Sequence, residues 1–320
     1  MKSNNDPYIL RWLHETGVKF DCASPREMEQ VFATGAQPNS ILYAHPCKSP
    51  NDIRIAQEKQ IPITVVDSPE EVIKLAAGGW KGDTLIRLMV PDSGSIIPFS
   101  KKFGAPITWV PEIRAMLKAS GIRHCGYSFH VGSMCTQPQQ FSQAIQLCAQ
   151  AAAEAREEPD IIDIGGGFLS NAILFEQAAK EIRGAQGLFS HDTKWIAEPG
   201  RFMSSPVIHL EVLVTGVKRR MDSSGWRYTI DESIYGAFSN IPFDAQTPHF
   251  QLLADDADSR PTVQATLFGR TCDSADCLVE DITLPELRVG DRLRIEDMGA
   301  YTLVSASEFN GFPNPHRFYE

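Results

Sequence analysis

Between Phe20 and Phe202, short apolar runs alternate with amphipathic stretches, and this alternation fixes the class of fold before any motif is considered. The apolar runs fall at residues 20–24, 41–46, 63–68, 84–90, 126–132, 160–168 and 195–201. Between them, residues 25–33, 50–59, the stretch from Pro69, and residues 111–119, 139–155 and 171–180 carry helical patterning. Ser24 followed by Pro25 and Glu27 is a helix start with its cap in place. Repeated strand-helix units require a parallel sheet with helices outside it. Seven strands with polar residues at their C-terminal ends predict a β/α barrel rather than an open sheet. One rim would then carry Asp21, His45, Asp67, Arg87, His130, Gly165, Gly166, Gly167, Glu198 and Arg201.

After Met203 the pattern changes. Residues 207–214, 226–230, 263–268 and 291–295 read as strands without intervening helices, which predicts a second, mostly antiparallel β-domain. The expected boundary lies near Ser205, giving domains 1–205 and 206–320. The polar segment 245–261 is expected to be a long exposed loop.

The formal net charge of −10 argues against a nucleic-acid partner. No window is apolar and long enough to span a membrane, and residues 1–7 lack the apolar core of a signal peptide. Seven cysteines without metal-type spacing point to a reduced, cytoplasmic compartment and to no metal site.

The run Asp160-Ile161-Ile162-Asp163-Ile164 ends in Gly165-Gly166-Gly167 and is followed by a helical stretch from Asn171. Glycines between a strand and a helix can serve only as a tight turn. They also let backbone N–H groups converge on a phosphate with no Cβ in the way.

Seven motifs occur in one order: Phe20-Asp21-Cys22-Ala23-Ser24, Tyr43-Ala44-His45-Pro46-Cys47-Lys48, Ser128-Phe129-His130-Val131-Gly132-Ser133, Asp163-Ile164-Gly165-Gly166-Gly167-Phe168, Ala197-Glu198-Pro199-Gly200-Arg201, Thr271-Cys272-Asp273 and Met298-Gly299-Ala300-Tyr301-Thr302. Together they resemble the eukaryotic-type ornithine decarboxylases over essentially the whole chain. The resemblance implies an alanine-racemase-like barrel that binds pyridoxal 5'-phosphate, followed by a C-terminal antiparallel β-domain. It implies that Lys2 binds the cofactor covalently, and that Gly165, Gly166, Gly167, Arg201, Ser133 and Tyr301 hold its phosphate. Glu198 would pair with the pyridine nitrogen and His130 would stack on the ring. Asp21 and Arg87 would be polar groups near the lysine and the ring oxygen, with Glu27 as a supporting carboxylate. Asp244 and Asp273 would bind the distal amine of a small basic amino acid. Cys272, on a loop that reaches the partner's active site in the family homodimer, would direct protonation of the substrate carbon. The implied reaction is decarboxylation of ornithine to putrescine, a step of polyamine biosynthesis.

The chain departs from the family in three places. Phe268-Gly269-Arg270 stands where the family has Trp-Gly-Pro, and Ala245 stands where it has histidine. Both changes leave ornithine, lysine or a modified basic amino acid open as substrate, since Arg270 adds a cation near a cation-binding pocket. In the family a strand and a helix also precede the lysine. A chain starting at Met1 is therefore expected to form an incomplete barrel, poorly soluble and weak in activity until extended upstream. The other reading is a non-catalytic homologue that acts by binding regulators or partners of such an enzyme.

Overall fold

The computed structural model describes residues 1–221 and 224–319. It divides into two compact units, Met1–Phe202 and Met203–Glu320. The first contains, in chain order, α1 (Pro7–Glu15), β1 (Phe20–Cys22), α2 (Pro25–Phe32), β2 (Ile41–Tyr43), α3 (Pro50–Glu58), β3 (Ile63–Val66), α4 (Pro69–Ala77), β4 (Asp83–Arg87), β5 (Ser95–Ile97), α5 (Val110–Ala119), β6 (His124–Ser128), β7 (Ser133–Cys135), α6 (Gln139–Ala155), β8 (Ile161–Asp163), α7 (Ala172–Gln186) and β9 (Lys194–Ile196).

One device starts four of these helices. Asp6, Ser24, Ser49 and Ser68 each cap a helix whose first residue is proline. The three serine hydroxyls accept from the N–H of Glu27, Asp52 and Glu71 at 3.3, 3.1 and 3.2 Å. Proline presets the first helical φ and lacks the N–H that would have no partner there, and the acid complements the helix dipole.

The strands β1, β2, β3, β4, β6, β8 and β9 pair in that order, all parallel, as a curled β/α half-barrel that is open between its edge strands β1 and β9, where the strand pattern alone predicts a barrel. Alternate residues face opposite sides. Tyr43, Val66, Ile86, Tyr127 and Ile162 belong to the main core shared with the helices, whereas Leu42, Val65, Leu85 and Cys125 form a separate inner cluster. Strands β5 and β7 form an antiparallel ribbon that the sequence did not announce, with Ile97 opposite Ser133.

The second unit is a six-stranded sheet of β10 (Leu210–Arg219), β11 (Trp226–Ile230), β12 (Gln251–Leu253), β13 (Thr262–Phe268), β14 (Cys277–Pro285) and β15 (Arg292–Ile295). Its order is β12-β15-β10-β11-β13-β14. The pairing is antiparallel except between β11 and β13, which run parallel, so the expected antiparallel domain is mixed at one ladder. The segment 245–261 is not the open loop that its polarity suggested. Phe250 and Leu252 are buried, β12 pairs with β15, and Arg260 donates to Asp291 and to the Glu286 carbonyl. One buried apolar residue in a three-residue strand, with Phe250 just before it, is too little to stand out from polar flanks.

Lys48, with its side chain fully buried, bonds Glu71 at 2.9 Å and the carbonyls of His45 and Val65 at 3.0 and 2.8 Å. Lys74 also contacts Glu71 at 2.5 Å and donates to the Lys48 carbonyl at 2.8 Å, which ties α4 to the loop after β2. Removing one member of such a pair strands a charge in low dielectric. Glu71→Ala should therefore destabilise the protein by about 3–5 kcal/mol in urea unfolding. The double replacement Lys48→Met, Glu71→Leu should recover part of that loss.

Candidate active site

The C-terminal ends of the barrel strands bring the expected rim together. Asp21 lies in β1, Arg87 ends β4 and Asp163 ends β8, while His130 and Glu198 follow β6 and β9. The Arg87 guanidinium interacts with the charges of Glu198, Asp67, Asp163 and Asp21. Lys2 Nζ is 3.6 Å from Asp21 Oδ2, with about half of its side chain exposed. Glu27 accepts from the Ala23 N–H at 2.5 Å, so it braces the turn behind Asp21.

The glycine run is required by close approach. Gly165 and Gly167 have φ +60° and +105°, where a Cβ is strained. A Cβ on Gly165 would come 2.3 Å from the Phe129 carbonyl, one on Gly166 2.7 Å from the Glu198 carbonyl, and one on Gly167 2.6 Å from the Gly132 carbonyl. The turn is fixed by Gly165 N–H donating to Asp163 Oδ1 at 2.9 Å, Glu198 N–H to the Gly165 carbonyl at 2.8 Å, and Cys135 N–H to the Gly167 carbonyl at 2.9 Å. The last bond places β7 beside the turn. Ser133, at the start of β7, accepts from Arg201 Nη2 at 2.9 Å, and both residues are buried.

His130 packs on Phe99, ring centroids 4.7 Å apart. Its Nδ1 accepts from the Gly132 N–H at 3.1 Å, which leaves Nε2 to carry the proton of a neutral ring. Burial first, then the charges of Lys2 and Arg87, hold its pKa well below the usual histidine range. Phe99 is positioned by Asp92, whose carboxylate accepts from the N–H groups of Phe99 and Ser100 at 2.6 and 2.7 Å. Asp67 Oδ2 accepts from Gly104 N–H at 2.9 Å, and the Arg87 guanidinium lies 4.8 Å from the Phe103 ring centre.

The remaining site residues expected from sequence lie in the second unit. Asp244 is buried and ends a short helical turn, Asn240–Asp244, which closes on Ala245 at φ +50°. Tyr301 has φ +56°, a strained backbone for so large a residue. Cys272 is exposed, and its N–H donates to Asn310 Oδ1 at 3.0 Å. Asp273 accepts from the Tyr235 hydroxyl and, at 2.9 Å, from the Ala275 N–H. The Tyr235 bond, followed by the Ala275 bond, lowers its pKa and holds it ionised. Arg270 does not act as the extra pocket cation that its position suggested. Its guanidinium contacts Glu232 at 3.5 Å and donates to the Pro313 carbonyl at 2.7 Å.

Sequence reasoning assigned no role to Asp92, Phe99, Asp163, Tyr235 or Asn310. Asp163 was visible as the acid before the glycine run. Tyr235 and Asn310 reach the Cys272–Asp273 pair from 38 residues away on either side, so no local pattern marks them.

The donor set fits pyridoxal phosphate. The glycine turn, Ser133 and Arg201 offer N–H, hydroxyl and guanidinium groups suited to a phosphate. Asp163 is buried and Glu198 partly so, and the two carboxyls interact directly. Burial first, with the Asp163 and Asp21 charges, pushes Glu198 well above the carboxylate range, and burial pushes Asp163 up to about 7. A pyridinium N–H would be a cationic donor suited to such a carboxylate. Both pKa values are raised by folding, so the contribution to stability is present at low pH and is lost as pH rises through about 7. Urea unfolding of the cofactor-free protein should show falling stability from about pH 5 to 8. Glu198→Gln should flatten that dependence.

Residues 1–205 match the family described as "Pyridoxal-dependent decarboxylase, pyridoxal binding domain", and residues 129–299 match "Pyridoxal-dependent decarboxylase, C-terminal sheet domain". An ornithine decarboxylase of Caenorhabditis elegans is 35% identical over 100% of this chain and 80% of its own length. The antizyme inhibitor 2 of Xenopus laevis is 34% identical over 98% of this chain and 73% of its own length. The crystal structure of the arginine decarboxylase of Paramecium bursaria Chlorella virus superposes with a TM-score of 0.91 at 32% identity, covering 97% of this chain and 85% of that one. Homology over the full chain, together with the glycine turn, the paired acids and the rim lysine, leads to one conclusion: the chain belongs to the pyridoxal-dependent decarboxylases of basic amino acids, with pyridoxal phosphate as its cofactor.

Proposed function

We propose that the protein decarboxylates ornithine, releasing carbon dioxide and putrescine, as a cytoplasmic homodimer with shared sites. The observation that carries the substrate reading is Asp273, held ionised on the loop beside Cys272 by Tyr235 and Ala275, with a second carboxylate at the buried Asp244. Carboxylates select a compact ammonium over a neutral side chain. Arg270 is neutralised by Glu232, which removes the objection that its charge would repel such a substrate.

When bound, pyridoxal phosphate supplies the electron sink for the pair left by the broken Cα–carboxylate bond. The residues divide the remaining work. Gly165, Gly166, Gly167, Ser133, Arg201 and Tyr301 hold the phosphate. Lys2 would be the residue that holds the cofactor covalently, with Asp21 3.6 Å from its nitrogen. Lys48 is no rival for this role, because it is fully buried against Glu71 and two carbonyls. Glu198 would hold a proton on the pyridine nitrogen, Arg87 would supply a positive group nearby, and the neutral His130 would pack against the cofactor. Asp244 and Asp273 bind the distal ammonium, and Cys272 directs the proton that returns to Cα.

Two further observations bear on setting. Among the described residues no helix is long and apolar enough to cross a membrane, and all seven cysteines are free thiols. The similarity to an antizyme inhibitor favours a second reading, a non-catalytic binding protein. Retention of Lys2, His130, Glu198, Arg201, Cys272, Asp273 and Tyr301 favours the enzyme.

Carbon dioxide release from ornithine, lysine, arginine and norvaline tests the reading directly. Ornithine should be turned over and norvaline should not, and no release from any of them with cofactor bound would favour the second reading. Asp273→Ala removes a charge-assisted contact and should lower kcat/KM for ornithine by about 2–4 kcal/mol, roughly 30- to 900-fold.

The dimer proposal has its own measurement. Lys2 and Cys272 lie in different compact units of the chain. Mixing a Lys2→Ala chain with a Cys272→Ala chain should restore activity through hybrid dimers. A mixture as inactive as each parent would show that the sites are not shared.

A further inference from the structure

We propose that Arg270 is a positioning residue that latches the C-terminal segment 307–313 onto the Thr271-Cys272-Asp273 loop, fixing how Cys272 and Asp273 are presented. The inference rests on the proposed roles of those two residues. Its geometry lies wholly within the second unit.

The latch has an inner and an outer side. On the inner side the Arg270 N–H donates to the Glu232 carbonyl at 3.1 Å, and its guanidinium lies 3.5 Å from Glu232 Oε1. Glu232 is buried and cannot move away. Its Oε1 accepts from the Ser233 N–H at 2.8 Å, and a Cβ on Gly236 would lie 2.0 Å from that oxygen. On the outer side Arg270 Nη2 donates to the Pro313 carbonyl at 2.7 Å, and its guanidinium carbon sits 4.9 Å from the Phe312 ring centre. One planar cation thus joins a buried carboxylate to a carbonyl and an aromatic face on the C-terminal segment. Guanidinium geometry serves this and an ammonium does so only in part.

The latched segment in turn reaches both functional residues. Asn310 accepts the Cys272 N–H at 3.0 Å and has φ +57°, a conformation asparagine tolerates. Phe309 stacks on Tyr235 at 4.3 Å, and the Tyr235 hydroxyl donates to Asp273. The Ser307 N–H closes the circuit on the Tyr235 carbonyl at 2.7 Å. From below, the buried Asp276 accepts from the Thr271 N–H and hydroxyl at 3.0 and 2.7 Å. Without the Arg270 contacts, the segment that orients Cys272 and Tyr235 keeps fewer anchors. A proline here, as in the resembling family, could supply neither the N–H bond nor the guanidinium. The pair Glu232–Arg270 is therefore this chain's own means of holding the loop.

Amide hydrogen exchange on the cofactor-loaded protein without substrate tests the latch independently of turnover. Arg270→Ala should speed exchange about tenfold or more both at the Cys272 amide and across 307–313, leaving β10 and β11 unchanged. Arg270→Lys should restore protection in part, since it keeps the charge opposite Glu232. Phe312→Ala removes the aromatic half of the outer side without stranding Glu232, and it reports if Arg270→Ala fails to fold. For ornithine, the loss in Arg270→Ala should appear mainly as raised KM, because Asp273 contributes binding, with partial rescue in Arg270→Lys. Wild-type exchange at Cys272 in Arg270→Ala and Phe312→Ala would overturn the proposal, as would loosening confined to 307–313. Altered exchange in a chain that does not turn over ornithine would uphold the latch while sinking the substrate reading.

Discussion

The rim of this barrel depends on the absence of three Cβ atoms. The ends of β6, β8 and β9 converge so tightly that the carbonyls of Phe129, Gly132 and Glu198 occupy the space where side chains of residues 165–167 would be. That contact aligns the Glu198 backbone with Gly165, hands the Gly167 carbonyl to β7, and so determines where Ser133 meets Arg201. An alanine at 165 would push against the end of β6 and one at 166 against the segment after β9, because protein interiors relax poorly around added atoms.

Charge placement shows where stability gives way to chemistry. The cations in structural positions are matched: the buried Lys48 by Glu71, and the partly buried Arg260 and Arg270 by Asp291 and Glu232. At the rim the balance differs: Asp163 and the partly buried Glu198 are two acids side by side, and both pKa values are raised. Such an arrangement disfavours ionisation of both. It becomes favourable when a cationic ring nitrogen is supplied, and this is how a site can be selective for its cofactor before any substrate arrives.

Much of the first unit was legible because its signals are local. The seven strands of the curled sheet overlap the apolar runs, and four helices begin where serine or aspartate precedes proline. The glycine run and the strand-end acids could be placed on one rim from order alone. What escaped was non-local or short. The ribbon of β5 and β7 and the strand β12 are each three residues long, below the length at which alternation can be recognised. Phe99 is held at the rim by an aspartate seven residues away, and Tyr235 and Asn310 act across 38 residues. Arg270 was visible, but its partners were not, so its charge was read as facing the pocket.

The serine-proline helix starts have an evolutionary consequence. Each turn after β1, β2 and β3 ends in a cap that resets the chain into its next helix. Residues between strand end and cap, such as His45, belong to neither strand nor helix, although Lys48 and Glu71 tie the loop after β2 to α4. Mutational drift there can alter the lining of the rim while the surrounding helices stay in register. The barrel is in effect a set of interchangeable cassettes, in which new chemistry can be tried one loop at a time on an unchanged frame.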